Sequence, residues 1–302
     1  MTGERACYRL FDLNVRSALP LGEAIGSPAA AHVRIALGPV PDRLQAPAVR
    51  GLRYEVGPDE CLVRMDGIAD FHVQTRDRLT VRTNANATPA DIGRCLLGTP
   101  MAALLYARGH LLLNGACILT TRGAVVLTGS SGSGASTLAA ALCQAGADLV
   151  SDGFCALATT DGIQVLPGPL FVRLAPDSLV RLGVDPDGHV LEGPGARRHI
   201  LPMAGVIAPV PLRAIVVLSM DGGDRVRFAK AGPQSGLLRL EREVHRPHLA
   251  RPLLGQGRYF EHLASIIRHI DLYFACRPRH WFDPAALADA VLQTLEQEEP
   301  TC

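Results

Sequence analysis

Apolar and polar positions alternate through the first third of the chain, at residues 33–37, 52–56, 61–65, 71–75 and 79–83. A period of two marks half-buried strands. Tyr8, Leu10, Leu13 and Val15 add a strand-like run before them. Gly57-Pro58-Asp59, Asp66-Gly67 and Asn84-Ala85-Asn86 supply turn chemistry between the runs. The pattern predicts a small sheet with one wet face. At Thr88 the period changes: an N-cap threonine, Pro89 in the first turn and Asp91 three residues on open a helix. A second helix is predicted from Thr99-Pro100 to Gly109, then a strand over 110–119 and a tight turn at 121–123.

The apolar run 124–127 reads as a buried strand, and residues 136–145 as the helix after it. Beyond lie a short strand at 148–152, a hairpin around Asp161-Gly162 and a short helix at 176–182. Residues 183–209, rich in Gly and Pro, read as a mobile loop. Strands are predicted at 211–219, 226–229 and 272–276, and helices at 236–244, 259–270 and 284–298. The expected organisation is a β-rich domain over 1–87 followed by an α/β domain over 88–302.

A net charge of +1 gives no electrostatic case for nucleic acid or an anionic membrane. No stretch reaches the roughly 18 to 20 apolar residues of a membrane span, and the first residues do not read as a signal peptide. The expected location is cytoplasmic. The eight cysteines form no C-x-x-C pair, so neither a disulfide framework nor a zinc site is indicated.

The chemistry concentrates between the 124–127 strand and the 136–145 helix: Gly129, Ser130, Ser131, Gly132, Ser133, Gly134, Ala135, Ser136 and Thr137. Glycines there let successive N–H groups point at phosphate oxygens, and the helix start adds partial positive charge. The pattern G-x-x-x-x-G-K-[ST] is met at Gly129, Gly134 and Ser136, but Ala135 stands at the lysine position. Lys230 is the only lysine in the chain.

Residues 108–116 (RGHLLLNGA), the glycine loop and residues 146–153 (GADLVSDG) together resemble the HPr serine kinase/phosphorylase family. They are closer still to the HPr-kinase-related proteins of bacterial gene clusters, some of which phosphorylate ribosomal peptides. Residues 166–174 and 210–218 are similar to that group too. The resemblance implies an α/β fold in which a P-loop kinase-like domain of HPr kinase type follows a small β-rich N-terminal domain. It implies ATP or GTP with Mg2+, the metal near Ser136 and Asp152, a peptide or protein partner, and family precedent for homo-oligomers.

Three positions depart from the family. Ala135 replaces the phosphate-binding lysine, Asn114 stands where a histidine is typical, and Gly153 follows Asp152 where the acids are usually paired. Losing one preorganised stabiliser of developing charge costs about 10²–10³ in rate. Losing a general base costs about 10²–10⁴. Arg173, Arg197 and Arg198 are candidate replacements for the lysine; Asp152 and Asn114 are the candidate catalytic positions. Three readings stand open: an impaired kinase homologue that binds nucleotide and a partner, an active kinase using arginine, and a structural subunit whose glycine loop only packs.

Overall fold

The computed structural model describes residues 6–22, 25–74, 76–160, 162–188, 190–191, 198–279 and 283–297. The architecture is mixed α/β with several sheets. Among the described residues, 6–83 form a nine-stranded sheet. Its centre pairs Leu13–Ser17, Val33–Leu37 and Arg78–Thr83 in parallel, and hairpins extend it on both sides. The expected run over 8–15 is two strands, Ala6–Leu10 and Leu13–Ser17, because Phe11 and Asp12 take positive φ and turn the chain back.

The helix Thr99–Ala107 is buried on every side. Its Met, Ala and Leu side chains carry no polar atoms to satisfy, so it can sit inside the molecule. It packs on strands Glu60–Met65 and Ala69–Gln74 of the first sheet and on Leu111–Asn114 of the second. One apolar cluster therefore runs from Val33 and Phe71 through Leu104 to Leu112 and Ile215.

The second sheet is built on Gly123–Gly129, Val210–Asp221 and Asp271–Pro278, which run parallel. Neighbouring residues of these strands feed opposite faces. Val126, Ile215 and Val217 join the cluster above, whereas Val125, Leu127, Val216 and Leu218 pack under helices Ala135–Gln144 and Pro284–Gln297. Burial on both faces explains their nearly unbroken apolar sequence.

The strand expected over 110–119 is two strands, Leu111–Asn114 and Ala116–Thr120, with different neighbours. Gly115 divides them at φ +126°, where a Cβ would lie 2.0 Å from the Leu127 carbonyl oxygen. The expected loop over 183–209 is partly strand: His199–Pro202 pairs with Phe171–Leu174. Helix Pro247–Leu254 had no counterpart in the sequence reading; Pro252 inside it obscures its periodicity. Among the described residues, no helix is long and apolar enough to cross a membrane.

Candidate functional site

Gly123–Gly129 ends at the carboxyl edge of the parallel strands, and Ala135–Gln144 starts six residues after Gly129. Gly129, Gly132 and Gly134 all have positive φ, at 148°, 85° and 104°. Gly129 is the most constrained: a Cβ would sit 2.4 Å from the Leu218 carbonyl oxygen and 2.8 Å from Ser133 Oγ. A turn closed by Ser133 N–H to the Ser130 carbonyl (2.9 Å) shapes the loop. Two tethers fix it from outside. Thr128 Oγ1 donates to Glu243 Oε2 (3.0 Å), and Arg277 Nε donates to the Ser133 carbonyl (3.1 Å).

Ser136, in the first turn of the helix, donates its hydroxyl to Asp152 Oδ1 at 2.7 Å. Asp152 follows strand Asp148–Ser151, and its Oδ2 accepts the Arg173 backbone N–H at 2.9 Å. The carboxyl is buried, and desolvation raises its pKa; the bonds from Ser136 and Arg173 oppose the shift. Among the described residues, no group of three or more His, Cys, Asp or Glu side chains is placed to hold a metal. A hydroxyl beside one carboxylate still fits Mg2+, which keeps waters and takes few protein ligands.

An open cavity of about 770 Å³ lies over the loop. Its walls include Asn114, Gly153, Asp177, Ser178 and Glu243, and seven arginines: Arg173, Arg181, Arg198, Arg239, Arg242, Arg277 and Arg279. Of the three arginines singled out from sequence, Arg173 and Arg198 line the cavity, and Arg197 lies outside the described residues. The other five were missed. They come from helices Pro176–Arg181 and Pro233–Glu243 and from the end of strand Asp271–Pro278, and no local pattern joins these segments.

Arg277 is buried; desolvation first, then repulsion from Arg181, lowers its pKa. Arg239 pairs with Glu243 at 2.8 Å, while its Nε is buried without a partner among the described residues. Gly153, at φ +88°, would place a Cβ 3.3 Å from Arg173 Nη1, so a guanidinium lies beside the residue that follows Asp152.

Asn114 holds an imidazole from far along the chain. His245 Nδ1 lies 2.7 Å from Asn114 Oδ1, so the ring donates from Nδ1. Nε2 is then a buried acceptor with no partner among the described residues. Burial is the main reason the His245 pKa falls to about 3, with Arg246, His248 and Arg173 adding to it. The ring is therefore neutral at physiological pH. Nothing in the sequence pointed to His245: its link to Asn114 spans 131 residues and left no local trace.

No protein-family model matches the chain. No curated protein matches it either. Among solved structures, it is similar to the Hpr(Ser) kinase/phosphatase from Coxiella burnetii, with 12% identity and a TM-score of 0.32 over 61% of this chain and 95% of that one.

Proposed function

We propose that this chain binds a magnesium nucleoside triphosphate, ATP or GTP, and is a kinase-like P-loop protein of HPr kinase type with altered catalytic positions. In this reading residues 88–302 form the P-loop domain, residues 1–87 the β-rich domain before it, and a peptide or protein is the partner. The observation that carries it is the cavity over residues 129–137, where guanidiniums supply the positive charge that Ala135 does not. Backbone amides of a glycine loop at a helix start grip phosphate oxygens without a lysine. Arginine matches phosphate in two-pronged geometry, which lysine cannot do. Arg277, tied to the Ser133 carbonyl, and Arg173, tied through its backbone to Asp152, are already held beside the loop. The motifs at 108–116, 129–137 and 146–153 support the same family.

A bound Mg2+ would neutralise phosphate charge next to Ser136 and Asp152. The Asp152 carboxylate accepts hydrogen bonds from Ser136 and the Arg173 N–H that would have to rearrange before it took a proton from an acceptor hydroxyl. Slow phosphotransfer, or nucleotide binding alone, is the expected behaviour. The structural-subunit reading is disfavoured by the open cavity: a loop used only for packing would be covered by side chains.

Calorimetric titration with Mg-ATP and Mg-GTP tests this. Saturable heat that Ser136→Ala weakens is expected; no heat at millimolar ligand overturns it. Ala135→Lys separates the two remaining readings. Increased phosphotransfer marks an otherwise competent site, and unchanged silence assigns the deficit to Asn114 and Gly153.

A further inference from the structure

The cavity holds more positive charge than a nucleotide uses. Seven guanidiniums line it against the carboxylates of Asp177 and Glu243, with Asp152 buried behind Ser136, although the whole chain carries a net charge of only +1. Such an excess in a concave site raises the local potential and concentrates anions. It also repels itself unless a ligand occupies it.

The arginines fall into two groups. Arg173 and Arg277 are attached to the loop and its acid, and Arg181 lies close enough to Arg277 to depress its pKa. Arg242 and Arg279 are different: both are exposed, and neither has a side-chain partner among the described residues. Glu243, next to Arg242 in the chain, has its two oxygens taken by Thr128 and Arg239. That carboxylate is thus occupied and does not neutralise Arg242. The backbone N–H of Arg279 is fixed on the Asp221 carbonyl at 2.9 Å, at the carboxyl ends of the parallel strands, where ligands of open α/β sheets bind. The Nε of Arg239 is a further donor, buried and unused among the described residues.

We propose that Arg242 and Arg279, with the unused Nε of Arg239 in the same wall, form a second anion subsite in the nucleotide cavity, and that the acceptor carries its own phosphate or carboxylate group. This rests on the nucleotide reading above. A magnesium triphosphate, with part of its charge neutralised by the metal, is served by the loop amides and the loop-attached arginines. The outer arginines then orient the acceptor by its anionic group, which selects acidic acceptors over neutral ones.

The test loads the full chain with Mg2+ and the β,γ-imido analogue of whichever nucleotide binds, so that the γ-phosphate position is filled. Inorganic phosphate, succinate and neutral glycerol are then titrated at fixed ionic strength. Phosphate or succinate binds and glycerol does not; which anion binds tighter tells a phosphate-bearing acceptor from a carboxylate-bearing one. Arg242→Gln/Arg279→Gln weakens that anion by about tenfold or more, the worth of a charge-assisted hydrogen bond, and leaves nucleotide affinity within about twofold. Both side chains are exposed, so the thermal midpoint stays put. Equal losses of nucleotide and anion affinity overturn the subsite, and so does a nucleotide-loaded protein that binds neither anion. If no nucleotide binds, the function proposed above fails by itself. The same anions titrated onto the free protein then decide the subsite, with the tenfold difference between wild type and double variant expected and no difference overturning it.

Discussion

Arginines in the N-terminal sheet and arginines around the glycine loop live under different rules. In the sheet, Arg53 meets Asp66 at 2.8 Å, Arg64 meets Glu55 at 3.3 Å, and Arg82 bridges Asp42 and Asp70. Each of these three arginines has its acid within the same sheet or its loops. Around the cavity, Arg239–Glu243 joins two side chains already side by side on one helix, while Arg277 turns its guanidinium to backbone carbonyls. The same side chain pairs with acids in one region and gathers on a concave wall in the other. What differs is the supply of carboxylates: seven arginines line the cavity against Asp177 and Glu243.

The contrast breaks hardest at the loop itself. Gly129→Ala forces a Cβ against the Leu218 carbonyl and a left-handed backbone onto alanine. Strain of this kind costs about 1–3 kcal/mol. A lower denaturant midpoint and complete loss of nucleotide heat are expected; retained binding would mean that the amides of 129–137 do not grip the phosphates.

Arg277→Gln comes next. It leaves the Ser133 carbonyl without its donor and removes a buried charge from the cavity floor. Nucleotide affinity should fall by about ten- to a hundredfold, as for the loss of one or two charge-assisted bonds, and calorimetry would read it. An unchanged affinity would make Arg277 a brace of the loop backbone and nothing more.

Histidines sharpen the comparison at acid pH. His72 in the sheet faces the Glu60 carboxylate at 2.8 Å, whereas His245 faces the neutral amide of Asn114 with arginines nearby. The folded pKa of His245 is about 3 and that of His110 about 4, both depressed chiefly by burial. An unfolded histidine titrates near 6.5. As pH falls below about 6.5 the unfolded chain takes up protons that these two rings refuse, so stability declines until pH reaches their folded pKa values. Urea midpoints measured between pH 7 and 4.5 should therefore fall, and fall less in His245→Gln. A variant with the full acid loss would show that His245 is not the group responsible.

The smallest effect belongs to the sheet. Both partners of Arg53–Asp66 are well exposed, so Arg53→Gln should change stability by about 1 kcal/mol or less and leave nucleotide binding untouched. A large effect on nucleotide affinity would erase the distinction between the two regions.

Much of this architecture was readable in advance because it is local. Thr88, Pro89 and Asp91 announced a helix start, and in the structure Thr88 Oγ1 accepts the Asp91 N–H. The alternation at residues 61–65 and 71–75 became the hairpin Glu60–Met65 with Ala69–Gln74. Gly115 was harder to read: in sequence it interrupts an apolar run, and only the backbone of the neighbouring strand makes it a break. Helix Pro247–Leu254 was hidden by its inner proline, which its surroundings accommodate.

By itself, the sequence determined the glycine loop between a strand and a helix, the absence of a lysine within it, and the strands whose apolar faces repeat. These depend on neighbours a few residues apart, where backbone torsions and side-chain periodicity decide the outcome. Tertiary structure alone decided that five further arginines would ring the loop, that His245 would dock on Asn114, and that Glu243 would hold Thr128. Those meetings follow from how two sheets fold around one buried helix, and contacts spanning more than a hundred residues are set by packing, which no short stretch of chain encodes.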